Sequence, residues 1–114
     1  MTTFEAGSVV LVHFPFTDLT STKKRPALVL SPAGFSGPHG DVVVLALTSQ
    51  PQADPALRLD YWKAAGLPKP TWFKPVIGTL AKQLVERRLG TLAAQDGPRV
   101  VRLMQAVIAK EYLP

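Results

Sequence analysis

Residues 7–15 read Gly7-Ser8-Val9-Val10-Leu11-Val12-His13-Phe14-Pro15, a glycine turn followed by an unbroken run of mostly β-branched and aliphatic side chains. A run of this kind, bounded by glycine and proline, is typical of a β-strand, and we expect one at Val9–Phe14. Pro15 ends the strand because proline has no amide hydrogen to donate to a neighbouring strand. The chain is therefore predicted to begin with β-structure.

Similar apolar runs recur further along the chain, separated by segments rich in glycine and proline. They predict strands at Pro26–Ser31, Asp41–Leu47, Leu57–Asp60, Thr71–Leu80 and Arg87–Leu92. The third strand is apolar nearly throughout, which predicts burial on both of its faces. Pro75 predicts a sheet edge or a bulge for the strand that contains it. Residues 61–67 are expected to form one helical turn that ends at Gly66.

The C-terminal segment has a helical pattern. Asp96 is a favourable N-cap residue, and Pro98 lies within the first turn that would follow it. Apolar residues then recur at helical spacing, at Val100, Leu103, Met104, Val107 and Ile108. This spacing predicts one amphipathic helix of about four turns whose apolar stripe packs on the sheet. The expected fold class is mainly β with α+β character, a small, strongly bent sheet or barrel plus a C-terminal helix, in one domain over residues 1–114.

Composition excludes several classes of site. The chain has no cysteine and two histidines, His13 and His39, which lie in different predicted elements. Disulfides, thiolate zinc sites and a thiol nucleophile are thus excluded, and we expect no metal and no cofactor. The longest apolar run, Val42–Leu47, is far shorter than the ~20 residues needed to cross a bilayer. The N-terminus has no secretory pattern, so we expect a cytoplasmic protein without a membrane segment.

The net charge of +5 is unevenly distributed. Residues 1–56 contain three basic and four acidic side chains, whereas residues 57–114 contain ten basic and four acidic ones. A basic surplus of this kind favours a polyanionic partner such as nucleic acid or an acidic peptide. Ordinary solubility is the alternative explanation, and charge alone does not separate the two.

Three segments resemble the PemK/MazF family of toxins in their order and spacing. They are residues 7–19, GSVVLVHFPFTDL, residues 23–31, KKRPALVLS, and residues 44–50, VLALTSQ. The resemblance implies an SH3-like or CcdB-like barrel, a homodimer, and an endoribonuclease that cuts single-stranded RNA without a metal ion. It also implies a cognate antitoxin protein that inhibits the enzyme.

The same resemblance implies that Arg25 and Thr48 are the catalytic pair. Arginine can donate two parallel hydrogen bonds to phosphate oxygens, and threonine can donate or accept a hydrogen bond through its hydroxyl. Cleavage by the RNA 2′-hydroxyl would leave a 2′,3′-cyclic phosphate and a 5′-hydroxyl. Some family members carry an acidic residue before the arginine; this chain has Lys24 there, so that position supplies no carboxylate base. Taken without the family, Arg25 is a solvated loop-end charge and Thr48 a turn residue.

Further residues are candidates for RNA binding by stacking, phosphate contact or base-edge contact. They are Phe16, Lys23, Lys24, Ser49 and Gln50. The alternative for Phe16 is a place in the core, and for the lysines simple solvation. Two other functions remain open, a non-catalytic module of the same fold that binds nucleic acid or antitoxin, and a gyrase poison like CcdB. If Arg25 is not catalytic, His13 is the next candidate.

Overall fold

The computed structural model describes residues 4–13, 23–35 and 40–113. Its strands are β1 (Ser8–His13), β2 (Lys24–Val29), β3 (Asp41–Thr48), β4 (Trp72–Ala81) and β5 (Val85–Thr91). All paired neighbours are antiparallel, and the strands form one sheet in the order β4-β3-β2-β1-β5. The helix α1 (Gly97–Val107) follows the last strand. Short 3-10 turns lie at Ala33–Phe35, Pro55–Leu57, Lys82–Leu84, Ala94–Asp96 and Lys110–Tyr112.

The sheet differs from the predicted barrel in closure, because β4 and β5 lie at its two ends and do not pair with each other among the described residues. The class is as expected, a mainly β protein with α+β character. β4 is an edge strand with a register shift opposite Leu45–Leu47, so the prediction from Pro75 is confirmed in both of its parts.

The strand predicted at Leu57–Asp60 is wrong. Residues 55–57 form a 3-10 turn instead, and only Arg58 makes an isolated bridge, to Trp72. The second strand begins two residues earlier than predicted. Lys24 and Arg25 already pair with His13 and Val12 across β1, so Arg25 belongs to the sheet.

The sheet has an apolar core on each face. One cluster contains Val10, Val12, Ala27, Val29, Val42, Val44, Leu80 and Val85. The other contains Val9, Leu28, Leu45, Leu47, Leu59, Ala65, Leu67, Phe73 and Leu103. Strand β3 contributes alternate residues to both clusters, which confirms its predicted burial on two faces.

Helix α1 packs on the second cluster. Leu103 is buried there, and Val100 and Met104 contact the same cluster, as the helical spacing predicted. The helix has 11 residues, about three turns rather than four. None of the helices in the described part of the chain is long and apolar enough to span a membrane.

Asp96 precedes α1 but does not cap it. Its carboxylate makes no capping hydrogen bond, is fully buried, and accepts from the backbone N–H groups of Asp60 at 3.1 Å and Tyr61 at 3.0 Å. Arg99 joins the same network through a 2.7 Å ion pair with Asp60. The carboxylate therefore fastens the start of the helix to residues 60–61 instead of to its own first turn.

The predicted turn that ends at Gly66 is present. The N–H of Gly66 donates to the carbonyl of Lys63, and the N–H of Leu67 donates to that of Trp62, the pattern of a Schellman motif. Gly66 has a φ of +84°, which glycine adopts without strain. A β-carbon there would lie 2.1 Å from the carbonyl oxygen of Leu89, so the turn sits directly against β5. This contact fixes the start of residues 67–71 beside β5.

Candidate active site

A groove of about 750 Å³ opens between the sheet and residues 66–71. All five strands contribute to its wall, including β4 and β5 from the two ends of the strand order. The lining residues are Leu11, Lys24, Arg25, Pro26, Leu47, Thr48, Ser49, Gln50, Gly66, Leu67, Pro68, Lys69, Thr71, Lys74, Arg87 and Leu89.

Most of the residues selected from the sequence meet in this groove. Those that line it are Lys24, Arg25, Thr48, Ser49 and Gln50. Lys23 is exposed and does not belong to the lining. Phe16 lies outside the described residues, so its predicted role stays a prediction, and the same holds for the position of His39.

Arg25 is held by its backbone and is exposed at its side chain. The pairing of Arg25 with Val12 fixes its position at the start of β2. Its guanidinium has no ion-pair partner within 4.0 Å among the described residues. Its donors are therefore available to an anion in the groove.

Thr48 closes β3 and has the turn contact that the purely structural interpretation predicts. Its Oγ1 accepts a hydrogen bond from the N–H of Gln50 at 3.1 Å. This contact uses the oxygen as an acceptor and leaves the hydroxyl hydrogen free to donate. The same bond ties Thr48 to the adjoining Ser49-Gln50 segment, and all three residues line the groove, so the structural and the functional interpretations are compatible.

Three further cations of the groove were not selected from the sequence. Lys69, Lys74 and Arg87 line it together with Lys24 and Arg25, and no acidic side chain is among the lining residues. The basic surplus after residue 56 was the available signal, but it did not indicate which of ten cations converge. The described groove wall is thus strongly positive, which suits a ligand with several negative charges.

An ion-pair cluster lies beside the Lys24 end of the groove. The Nζ atom of Lys24 is 2.6 Å from Oε1 of Glu86 on β5, and Nε2 of His13 is 3.8 Å from the same oxygen. The hydrogen bond from Lys24 holds the pKa of Glu86 below its ordinary value. The charges of Lys24, His13 and Arg87 add to this effect and outweigh partial desolvation. Glu86 is therefore ionised at neutral pH, and the ion pair persists there.

His13 contacts this cluster and is not part of the groove lining. The residue ranked behind Arg25 as a catalytic candidate thus has a different neighbourhood from Arg25 and Thr48. Within the described ranges, no group of three or more histidine, cysteine, aspartate or glutamate side chains is close enough to hold a metal ion.

Solved structures of similar fold include toxins and toxin–antitoxin complexes. MazF from Deinococcus radiodurans has a TM-score of 0.72 at 23% identity, with 93% of this chain and 96% of that chain covered. The Mycobacterium tuberculosis toxin MazF-mt6 has a TM-score of 0.70 at 18% identity, over 87% and 93%. An endoribonuclease in complex with its cognate antitoxin, from a mycobacterial species, has a TM-score of 0.72 at 19% identity, over 96% of both chains. At these identities the likeness establishes the fold.

The sequence carries the family assignment. No curated protein matches the chain. The sequence model that describes the PemK-like, MazF-like toxins of type II toxin–antitoxin systems matches residues 5–108, which is most of the chain. The three segments that resemble this family lie within the matched range. Two of them contain Arg25 and Thr48, which line the groove. The chain therefore belongs to the PemK/MazF family of type II toxin–antitoxin toxins.

Proposed function

We propose that this toxin is an endoribonuclease that cleaves single-stranded RNA in the groove, without a metal ion. The observation that carries the proposal is the meeting of Arg25 and Thr48 in one groove that is lined by cations and by no acidic side chain. The family and the similarity to a structure described as an endoribonuclease support the same activity.

The chemistry requires few groups from the protein, because RNA carries its own nucleophile. The 2′-hydroxyl oxygen attacks the adjacent phosphorus, the bond to the 5′-oxygen breaks, and the products are a 2′,3′-cyclic phosphate and a 5′-hydroxyl. Negative charge grows on the phosphorane oxygens during attack, and Arg25 can offset it with two parallel hydrogen bonds. Arg25 stays protonated, so its role is electrostatic. Thr48 can hold a phosphate oxygen or pass on a proton through its hydroxyl.

The rest of the groove suits an extended single strand. Lys69, Lys74 and Arg87 can contact phosphates on either side of the scissile one, and Ser49 and Gln50 can reach base edges. Together with Lys24, these cations allow more than one phosphate to bind at once. Such binding releases counterions from the strand, so the affinity falls as the salt concentration rises.

We also propose a cytoplasmic homodimer that is inhibited by a cognate antitoxin. Solved structures of similar fold include a MazE–MazF complex from Deinococcus radiodurans and an endoribonuclease with its cognate antitoxin. An acidic segment of the antitoxin would fit the cationic groove and compete with RNA for it. Inhibition that leaves RNA bound in a ternary complex would contradict this competition, and sedimentation as a 12.3 kDa monomer at micromolar concentration would contradict the dimer.

The experiment that tests the function is incubation of the pure protein with total RNA in excess chelator. We expect full cleavage activity, because the chain has no cysteine, two separated histidines and no clustered metal ligands in its described part. Loss of cleavage that a divalent ion restores would show that the reaction requires a metal. Absence of cleavage under both conditions, with binding of an RNA, an antitoxin or gyrase, would favour the non-catalytic alternatives.

A further inference from the structure

We propose that Glu86 is the counter-ion of Lys24 in the free toxin and that a phosphate of the bound strand displaces it. Glu86 would then lower the affinity of the groove for single-stranded polynucleotides. This inference rests on the proposed function, since it concerns the same groove, and it adds a residue that lies outside the groove wall.

The strand register places Glu86 within reach of Lys24. Between Leu11 and Val12 the pairing of β1 with β5 shifts, so that Leu11 pairs with Arg87 and Val12 with Val85. Glu86 is the extra residue of this irregularity. On the other side of β1, His13 pairs with Lys24. The carboxylate of Glu86 thus reaches across the end of β1 to the ammonium of Lys24, at 2.6 Å.

The two charges differ in their relation to the groove. Lys24 lines it, directly before Arg25, whereas Glu86 does not. The ion pair therefore directs the Lys24 ammonium toward β5 and neutralises one of the groove's positive charges. Among the groove cations of the described chain, Lys24 alone has a carboxylate within 4.0 Å.

The ion pair is exposed enough to exchange partners. The side chains of Lys24 and Glu86 are 50% and 32% exposed, and exposed ion pairs contribute little net stability. A phosphate offers Lys24 a charge-assisted hydrogen bond of the same kind. Glu86 would keep His13, 3.8 Å from its Oε1, and the attraction of Arg87 when Lys24 leaves. Displacement thus gives Lys24 a new partner, while Glu86 loses Lys24 and keeps its other two attractions.

The test is a binding measurement with a single-stranded RNA oligonucleotide that carries 2′-fluoro groups and so lacks the nucleophile. Glu86→Gln is compared with Glu5→Gln, the matched control. Both variants lose one negative charge. In the control this charge lies outside the groove, because Glu5 pairs at 3.5 Å with Arg88, which is not a lining residue. We expect Glu86→Gln to bind about two- to fivefold more tightly than the control.

A second pair of variants assigns the effect to Lys24. In a Lys24→Gln background, Glu86→Gln should give no gain in affinity over Glu5→Gln. Equal or weaker binding by Glu86→Gln in the Lys24 protein, or a gain that survives Lys24→Gln, would overturn the counter-ion role.

Cleavage of unmodified RNA by the wild-type protein is measured alongside. Cleavage without the expected gain in affinity would overturn the counter-ion role alone. The absence of both cleavage and oligonucleotide binding would overturn the proposed function as well.

Discussion

Replacing Arg25 with alanine is expected to slow RNA cleavage about 100- to 1,000-fold, the loss typical of one aligned transition-state donor. The β1 pairing of Arg25 fixes its backbone, and its guanidinium has no ion-pair partner in the described structure, so the side chain is free to bind the reacting phosphate. Its removal should leave the fold intact because the side chain is exposed. Arg25→Lys should restore little activity, since an ammonium group does not reproduce two parallel hydrogen bonds.

The matched control is Arg88→Ala. Arg88 lies on β5, contacts Glu5 and Thr91, and does not line the groove. Arg88→Ala removes the same charge as Arg25→Ala. Cleavage by Arg88→Ala close to the wild-type rate would therefore show that the effect of Arg25→Ala depends on the position of the charge. An Arg25→Ala protein that is folded by circular dichroism and cuts RNA within threefold of wild type would place the catalytic centre elsewhere.

Thr48 extends the same test. Thr48→Ser should keep most of the activity, because the hydroxyl that accepts from Gln50 and faces the groove is retained. Thr48→Ala should slow cleavage, since both the donor and the turn contact are lost. Equal cleavage rates for the two variants would contradict a role for the Thr48 hydroxyl, because only the serine variant retains it.

The largest expected effect on stability belongs to Gly66→Ala, which we expect to lower the free energy of unfolding by about 2–5 kcal/mol. The new β-carbon would lie 2.1 Å from the carbonyl oxygen of Leu89, a backbone atom that cannot rotate away. The φ of +84° adds strain for any residue with a β-carbon. Either the turn or β5 must shift, and the groove wall at residues 66–69 would shift with them.

Urea unfolding measures this effect, with Gly97→Ala as the control. Gly97 starts α1 in a right-handed conformation, and nothing lies within 4 Å of its added β-carbon. The control should therefore be as stable as the wild type or slightly more stable, because alanine favours helix. A Gly66→Ala protein that loses less than about 1 kcal/mol would contradict the close packing of the turn on β5.

Local sequence patterns predicted the elements whose buried positions follow a regular spacing. The apolar run of β3 and the helical spacing around Leu103 each indicate the right element and the right buried positions. The segment at Leu57–Asp60 failed because a strand requires a partner, and only Arg58 bridges to Trp72. The prediction that Asp96 caps the helix is wrong for a related reason. Its sequence position suits a cap, but its hydrogen bonds go to backbone groups 35 and 36 residues away.

The candidate site divides in the same way. Arg25 and Thr48 were accessible because the segments around them resemble a family, and both line the groove. No sequence motif assigned a role to Lys69, Lys74 or Arg87. Lys74 and Arg87 lie on β4 and β5, at the two ends of the strand order, and Lys69 follows the turn at Gly66, so only the tertiary structure brings them to one groove. The contact between Lys24 and Glu86 depends on a register shift in β5, which no pattern in the sequence indicates.

In the proposed reaction the groove promotes attack by the RNA's own 2′-hydroxyl. The most direct measurement compares an RNA oligonucleotide of mapped cleavage site with the same oligonucleotide carrying one 2′-deoxy sugar immediately 5′ of the scissile phosphate, both in excess chelator. We expect the all-RNA strand to yield a 2′,3′-cyclic phosphate and a 5′-hydroxyl, and the substituted strand to remain intact at that position. Cleavage of the substituted strand at the same bond and at a similar rate would contradict attack by the 2′-hydroxyl, because the nucleophile would then have to come from water or from the protein.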